Sequence, residues 1–193
     1  MLLAAALLGY LLGSIPFGLL LTRAAGLGDI RKIGSGNIGA TNVLRTGRKG
    51  LALATLLLDG AKGAAAVLLG LYLAGIPGLA LGGLAAVLGH LFPVWLKFRG
   101  GKGVATGFGV LIAAAPLAGL ISGAVWLAVA FATRFSSAGA LSAFVAAPLL
   151  AWAVGAPASV ICLAASVAVL VWARHHANIR RLLAGTEPRI GKA

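Results

Sequence analysis

Few side chains in this chain can do chemistry, and most of them fall in three polar stretches set between long apolar runs. The first is Gly34-Ser35-Gly36-Asn37-Ile38-Gly39-Ala40-Thr41-Asn42-Val43-Leu44-Arg45. Alternating glycines let a backbone aim successive N–H groups at one point, as in anion-binding nests. Gly34, Gly36 and Gly39 are the candidates for that turn, and Ser35, Thr41 and Asn42 add neutral donors beside Asn37. Arg45 can grip a phosphate through two parallel hydrogen bonds. A loop that is basic only to set membrane topology does not need Ser, Asn and Thr packed between its glycines.

The second stretch runs from Gly89 to Thr106 and contains His90, Lys97, Arg99 and the run Gly100-Gly101-Lys102-Gly103. That run stands where a helix should begin, so free N–H groups and a positive dipole end would face a bound anion. It lacks the Gly-x-x-x-x-Gly-Lys-Ser/Thr spacing of a nucleotide-binding loop. Lys102, between glycines, is the better ligand candidate; Lys97 and Arg99 also serve as topology anchors. His90 lies near the end of an apolar run, where a structural hydrogen bond and a task at the substrate site are equally open readings.

The third stretch is Arg174-His175-His176-Ala177-Asn178-Ile179-Arg180-Arg181-Leu182. Adjacent histidines on a helix diverge by about 100°, so they do not converge on one ion, whereas His175 and Asn178 at i and i+3 share a face. Asp29, Asp59 and Glu187 are the chain's only carboxylates. A two-carboxylate mechanism or a multi-acid metal site is hard to assemble from these, and neither metal nor cofactor is expected. No histidine has Asp five positions later, so the His-x-x-x-x-Asp dyad of the common glycerolipid acyltransferases is missing. Asp59 and Lys62, also at i and i+3, lie inside an apolar run. An intramembrane ionisable pair is a functional candidate by default, and a structural ion pair is the alternative. The whole inventory suits recognition of phosphate anions beside lipid.

The elements that must position these residues are membrane helices. Hydrophobic residues make up 61% of the 193 residues and charged residues 10%, against roughly 25% charged in a soluble domain. Breaks at Gly75-Ile76-Pro77-Gly78, Ala115-Pro116 and Gly155-Ala156-Pro157 divide the apolar runs into about seven spans, roughly 2–22, 51–74, 79–96, 104–115, 117–133, 138–154 and 158–173, several of which approach the ~20 residues a bilayer needs. Residues 104–133 are the awkward part. They form 30 uncharged residues, ~45 Å as straight helix, too long for one pass and too short for two.

Charge parity favours two. With seven spans, every Lys and Arg except Lys62 falls on one side, Lys192 included. The positive-inside rule then places the N-terminus outside and the C-terminus in the cytoplasm. The same rule accounts for the net charge of +13, so no nucleic-acid partner is expected. No basic residue precedes Arg23, which argues for a retained first span rather than a cleaved signal. Abundant glycine predicts close helix packing. The expectation is therefore an all-α, polytopic membrane protein, a compact bundle forming one domain over 1–193.

The three stretches, together with Asp59-Gly-Ala-Lys62-Gly, resemble the motifs of the bacterial acyl-phosphate-dependent glycerol-3-phosphate acyltransferases, the PlsY family. The resemblance is carried by residues 34–45, 89–106 and 175–182 with Gly185-Thr186-Glu187 behind, and it runs essentially the whole chain. Around Arg134 to Ala140 relatives often carry a further serine that is absent here, which leaves a binding role for that stretch open. The resemblance implies a multi-pass protein of the bacterial inner membrane with its active site on the cytoplasmic side. It implies transfer of an acyl chain from acyl phosphate to the 1-hydroxyl of glycerol 3-phosphate, giving lysophosphatidic acid and phosphate.

On that footing Ser35, Arg45, Lys102, His175 and Asn178 hold the phosphates and orient the hydroxyl. Gly34, Gly36, Asn37, Gly39, Thr41, Asn42, His90, Gly100, Gly101 and Gly103 shape the substrate site. The acyl chain would lie between helices in contact with membrane lipid, and a monomer is the simplest assembly. The base is either His175 or a substrate phosphate oxygen, and the phosphate is favoured because no carboxylate stands close in sequence to orient the histidine. The competing class is an anion transporter, against which the clustering of polar segments on one face counts.

Overall fold

Apolar residues run all the way round most helices of this chain, and the breaks between them fall where proline or glycine interrupts the backbone. The computed structural model describes residues 1–191, which leaves Lys192 outside the described residues; among those described there is no strand. Helix α1 (Leu2–Ser14) and α2 (Phe17–Ala24) form one apolar stretch broken at Ile15-Pro16. Proline lacks an N–H and forces the residue before it out of the helical region, and Ile15 is accordingly extended. After the first polar loop and the short α3 (Ala40–Leu44) comes α4 (Lys49–Leu91), which reverses direction at Ala74 and Gly75. Gly75 has φ +63°, a conformation glycine adopts at little cost. The two arms, 49–73 and 76–91, pack back to back, with Gly70 against Gly78 and Gly82 against Ala66.

The remaining helices are α5 (Val104–Ala114), α6 (Pro116–Thr133), α7 (Ser136–Ala153), α8 (Ala158–Arg174) and α9 (His176–Leu183). All seven expected apolar segments are helical, in the expected order, with three differences. The segment expected over 79–96 leaves the helix at Phe92, just before Pro93, and α1 and α2 share the first segment. The third difference resolves residues 104–133: α5 is a half-length helix of 11 residues, ~16 Å long, and Ala115 breaks it from a full-length α6. Four stretches are long and apolar enough to cross a membrane, Leu2–Ala24, Lys49–Leu96, Pro116–Thr133 and Ser136–Ala153. A fifth joins them if α8 and α9, bent by 61°, count as one span. Lys49–Leu96 folds back on itself as two antiparallel apolar arms.

Packing is inverted relative to a soluble protein. Ala, Gly and Val fill much of the interior, while Tyr72, Phe131, Leu149 and Trp152 stand on the outer surface. A Cβ on Gly9 or Gly13 of α1 would collide with the backbone of Gly82 or Ala86, so those helices touch backbone to backbone, as small residues allow in lipid. The polar loops gather at one end of the bundle. Leu19, Ile30, Ile38, Val43 and Ala52 form a separate apolar cluster that fastens the first loop to that end.

Candidate active site

The first loop is built around Asn42, which is 2% exposed. Its amide nitrogen donates to the carbonyls of Ile30, Ile33 and Asn37, and its oxygen accepts from Ser35 N–H at 2.9 Å and the Ser35 hydroxyl at 3.3 Å. All of its capacity is spent inside the loop, so Asn42 is a pillar of the site and not a ligand. Asn37 likewise accepts the N–H of Gly39 at 2.8 Å, and Gly36 N–H donates to the Ile33 carbonyl. The expected nest is corrected accordingly: the amides of Ser35, Gly36 and Gly39 are committed to the loop. Gly34 and Gly36 remain necessary for their backbone, with φ +56° and +70°. Gly34 also makes room for Arg45, whose Cδ would lie 3.0 Å from a Cβ there.

In the second loop two of the four expected amides are likewise committed. Gly100 N–H donates to the Leu91 carbonyl and Gly101 N–H to that of His90, both at 3.0 Å, so neither amide is free to meet an anion. Their carbonyls accept from Arg174, at 3.4 and 3.2 Å. The Gly100-Gly101 turn is thus clamped between the end of α4 and the end of α8, and what it presents is Lys102. Gly103 (φ +83°) then caps α5. His90 does not join the substrate site. It lies 4% exposed beneath Gly101, against Lys62 and Asp59.

Lys102 Nζ donates to Asn178 Oδ1 at 2.6 Å. Asn178 Nδ2 donates to Glu187 Oε1 at 2.6 Å, which also accepts from Ser137 at 2.6 Å, while Oε2 accepts from Arg181 at 2.7 Å. Burial lowers the Lys102 pKa to about 8; Glu187 pulls it back up, and Arg181, Arg45 and Arg174 push it further down. Burial alone would raise the Glu187 carboxyl, but hydrogen bonds from Ser137, Asn178 and Arg181 outweigh it and keep the group below its ordinary value.

His175 is 2% exposed, and its Nδ1–H donates to the Val171 carbonyl at 2.8 Å. A backbone carbonyl therefore orients the ring, where no carboxylate does, and Nε2 is left as an acceptor. Burial lowers its pKa to about 4, opposed by the bond to Val171 and aided by the charge on Lys102. His176, exposed and turned back to the Ala173 carbonyl, points elsewhere, as adjacent helical positions should.

The fold thus brings Ser35, Arg45, Lys102, His175 and Asn178 to one end of the bundle. The two glycine loops meet the end of α8 around an open groove of about 530 Å³, lined by Ser35, Asn37, Arg31, Phe98, Gly100 and Arg174. Thr41 reaches α7, with its hydroxyl 3.3 Å from that of Ser136. The stretch after Arg134, open in the sequence, is therefore part of the assembly through Ser136 and Ser137.

Three residues outside the expected set carry this geometry: Glu187, Ser137 and Arg174. Glu187 had a signal, since it is the lone acid after a cluster of cations. Gly185 (φ +69°) and the Thr186 N–H to Arg181 carbonyl bond turn the chain back after α9 and deliver it to Asn178.

Residues 3–185 match the protein family described as Glycerol-3-phosphate acyltransferase. A protein of that name from Agrobacterium fabrum is 61% identical over 97% of this chain and 91% of its own length. One from Nitrobacter winogradskyi is 62% identical over 95% and 93% respectively. The crystal structure of PlsY (YgiH), an integral membrane glycerol 3-phosphate acyltransferase in its glycerol 3-phosphate form, aligns with a TM-score of 0.93 at 41% identity, covering 98% of this chain and 96% of that one. The lysophosphatidic acid form aligns at 0.91 with 40% identity over 98% and 95%.

Proposed function

From its membership of the glycerol-3-phosphate acyltransferase family, we propose that this chain transfers a fatty acyl group from acyl phosphate to the 1-hydroxyl of sn-glycerol 3-phosphate, an acylation step of phospholipid synthesis. The observation that carries the reading is the buried Lys102–Asn178–Glu187 chain beside His175, facing the Ser35–Arg45 loop. It is a preorganised cationic site suited to phosphate esters. Acyl phosphate is a mixed anhydride with a good leaving group, so positioning and charge stabilisation supply most of the catalysis.

Arg45 and Lys102 hold phosphate oxygens, joined by the Ser35 hydroxyl once it turns from its 3.3 Å contact with Asn42 Oδ1, and Asn178 fixes Lys102. The glycerol hydroxyl, packed beside the neutral His175 ring, donates to a substrate phosphate oxygen and attacks the acyl carbonyl carbon. The carbonyl carbon's bond to the phosphate oxygen breaks, and the hydroxyl proton passes to a substrate phosphate. Burial holds His175 at about 4, which makes it a weak base and favours the substrate phosphate, whose monoester binds its second proton near pH 6 in water. The acyl chain lies in the apolar groove of about 490 Å³ between Leu141, Val145, Trp172 and Leu182, open to lipid. By the positive-inside rule the site faces the cytoplasm across the bacterial inner membrane, with the N-terminus outside.

Lys102 must be charged to hold phosphate, so kcat/KM falls as pH rises through about 8. His175 is neutral above about 4 and contributes no limb near neutrality. Bound phosphate stabilises the ammonium, so the limb in kcat moves to higher pH. A pH–rate series in both parameters checks this; a kcat/KM flat through pH 9 contradicts it. The donor assignment is tested with labelled glycerol 3-phosphate and either palmitoyl phosphate or palmitoyl-CoA. Labelled lysophosphatidic acid forms with the phosphate donor only, and product from the thioester at a comparable rate overturns the assignment.

A further inference from the structure

We infer that Asp59, Lys62 and His90 form a buried positioning unit that sets the place of the Gly100-Gly101 turn, and so of Lys102. This rests on the role proposed for Lys102 above. Lys62 is 4% exposed, and its Nζ donates to Asp59 Oδ1 at 2.6 Å, to the Ile15 carbonyl at 2.7 Å and to His90 Nδ1 at 3.0 Å. An ammonium has three protons, and all three are used. The Ile15 carbonyl belongs to the break that Pro16 makes between α1 and α2, so Lys62 ties that break to both arms of α4.

His90 passes the constraint upward. With Nδ1 accepting from Lys62, the ring presents its Nε2 tip to Gly101, where a Cβ would collide with Nε2 and lie 2.9 Å from both ring carbons beside it. The His90 carbonyl meanwhile accepts the Gly101 N–H. Arg174 holds the same two glycines from above through their carbonyls. The turn is therefore seated on an imidazole whose position is set by a buried ion pair, and the next residue is Lys102. None of the three residues lines the groove at the loops, so they act through the turn and do not touch substrate. A salt bridge kept for helix packing alone would not need its third bond on a histidine under this turn.

The test uses His90→Leu, which keeps the packing volume and removes the acceptor, and Asp59→Asn/Lys62→Gln, which removes both charges together and avoids stranding one. Gly101→Ala displaces the turn from the opposite side. The full-length protein is labelled biosynthetically with ¹³Cε/¹⁵Nζ-lysine, which leaves every ammonium proton in place, and with the Lys102 signal assigned by Lys102→Arg it is titrated in detergent by NMR alongside the kinetics. Displacing a reacting group by ~1 Å costs on the order of 100-fold in rate, so each variant loses about that much kcat/KM. A loosened Lys102 is also better hydrated, so its titration moves above the wild-type midpoint. Folded variants with wild-type helical content, in which Lys102 titrates at the wild-type midpoint, overturn the inference whatever their turnover. The titration is independent of the reaction: wild-type protein without turnover would defeat the proposed function and leave the positioning unit to be judged by NMR alone.

Discussion

Replacing Lys102 with methionine is expected to lower kcat/KM by roughly 10²–10³-fold at pH 7, the usual effect of removing one preorganised donor from a site where charge develops. The side chain is the one ammonium that the second loop delivers into the buried cluster, at 2.6 Å from Asn178. Methionine keeps the bulk and removes the charge, so the loss reports electrostatics and not packing. Arginine should restore little. Lys102 donates to one protein acceptor, Asn178 Oδ1, and a planar fork needs a second acceptor beside it. Steady-state kinetics on the two variants checks this, with unchanged helical content as the control. Turnover within tenfold of wild type in Lys102→Met removes Lys102 from the account.

The second large effect belongs to Glu187, which touches no substrate in this scheme. Glu187→Gln replaces a carboxylate accepting from Ser137, Asn178 and Arg181 with an amide that has one acceptor atom. One or more of those donors then loses its partner in a mostly buried setting, at about 1–3 kcal/mol each. Any loosening passes through Asn178 to Lys102, and kcat/KM falls by on the order of 10–100-fold. The accompanying sign is more diagnostic. The Glu187 charge raises the Lys102 pKa, so its removal moves the alkaline limb of kcat/KM below its wild-type position. Loosening the turn over His90 moves Lys102 the other way. A Glu187→Gln profile that falls in height without moving in pH would mean that the carboxylate acts through folding alone.

Much of this was legible before any coordinates. The breaks at Gly75–Gly78, Ala115-Pro116 and Gly155–Pro157 are chemical interruptions of the helix, and they divide the apolar runs in the right order. The too-long, too-short run over 104–133 already contained its answer in Ala115-Pro116, but only packing tells a half-length α5 from two tilted spans. The candidate residues also stand out in the sequence as polar groups stranded beside membrane, and the fold brings Ser35, Arg45, Lys102, His175 and Asn178 to one end of the bundle.

What could not be read was how the backbone amides are spent. Glycine spacing promised free N–H groups, yet their partners, the carbonyls of His90 and Leu91 and the side chains of Asn37 and Asn42, are fixed by how the loops fold against the helices. For the same reason no sequence signal marks the group that orients His175, the Val171 carbonyl one turn earlier.

The central claim, that this chain couples two phosphate-bearing substrates in one acyl transfer, is tested most directly in proteoliposomes holding the purified protein. Palmitoyl phosphate is supplied with and without glycerol 3-phosphate, and released phosphate and lysophosphatidic acid are both counted. The account predicts release that depends on glycerol 3-phosphate and equals the lysophosphatidic acid formed, mole for mole. Phosphate moving across the vesicle wall without acyl donor, together with no lysophosphatidic acid from demonstrably folded protein, would contradict it and point to an anion pathway.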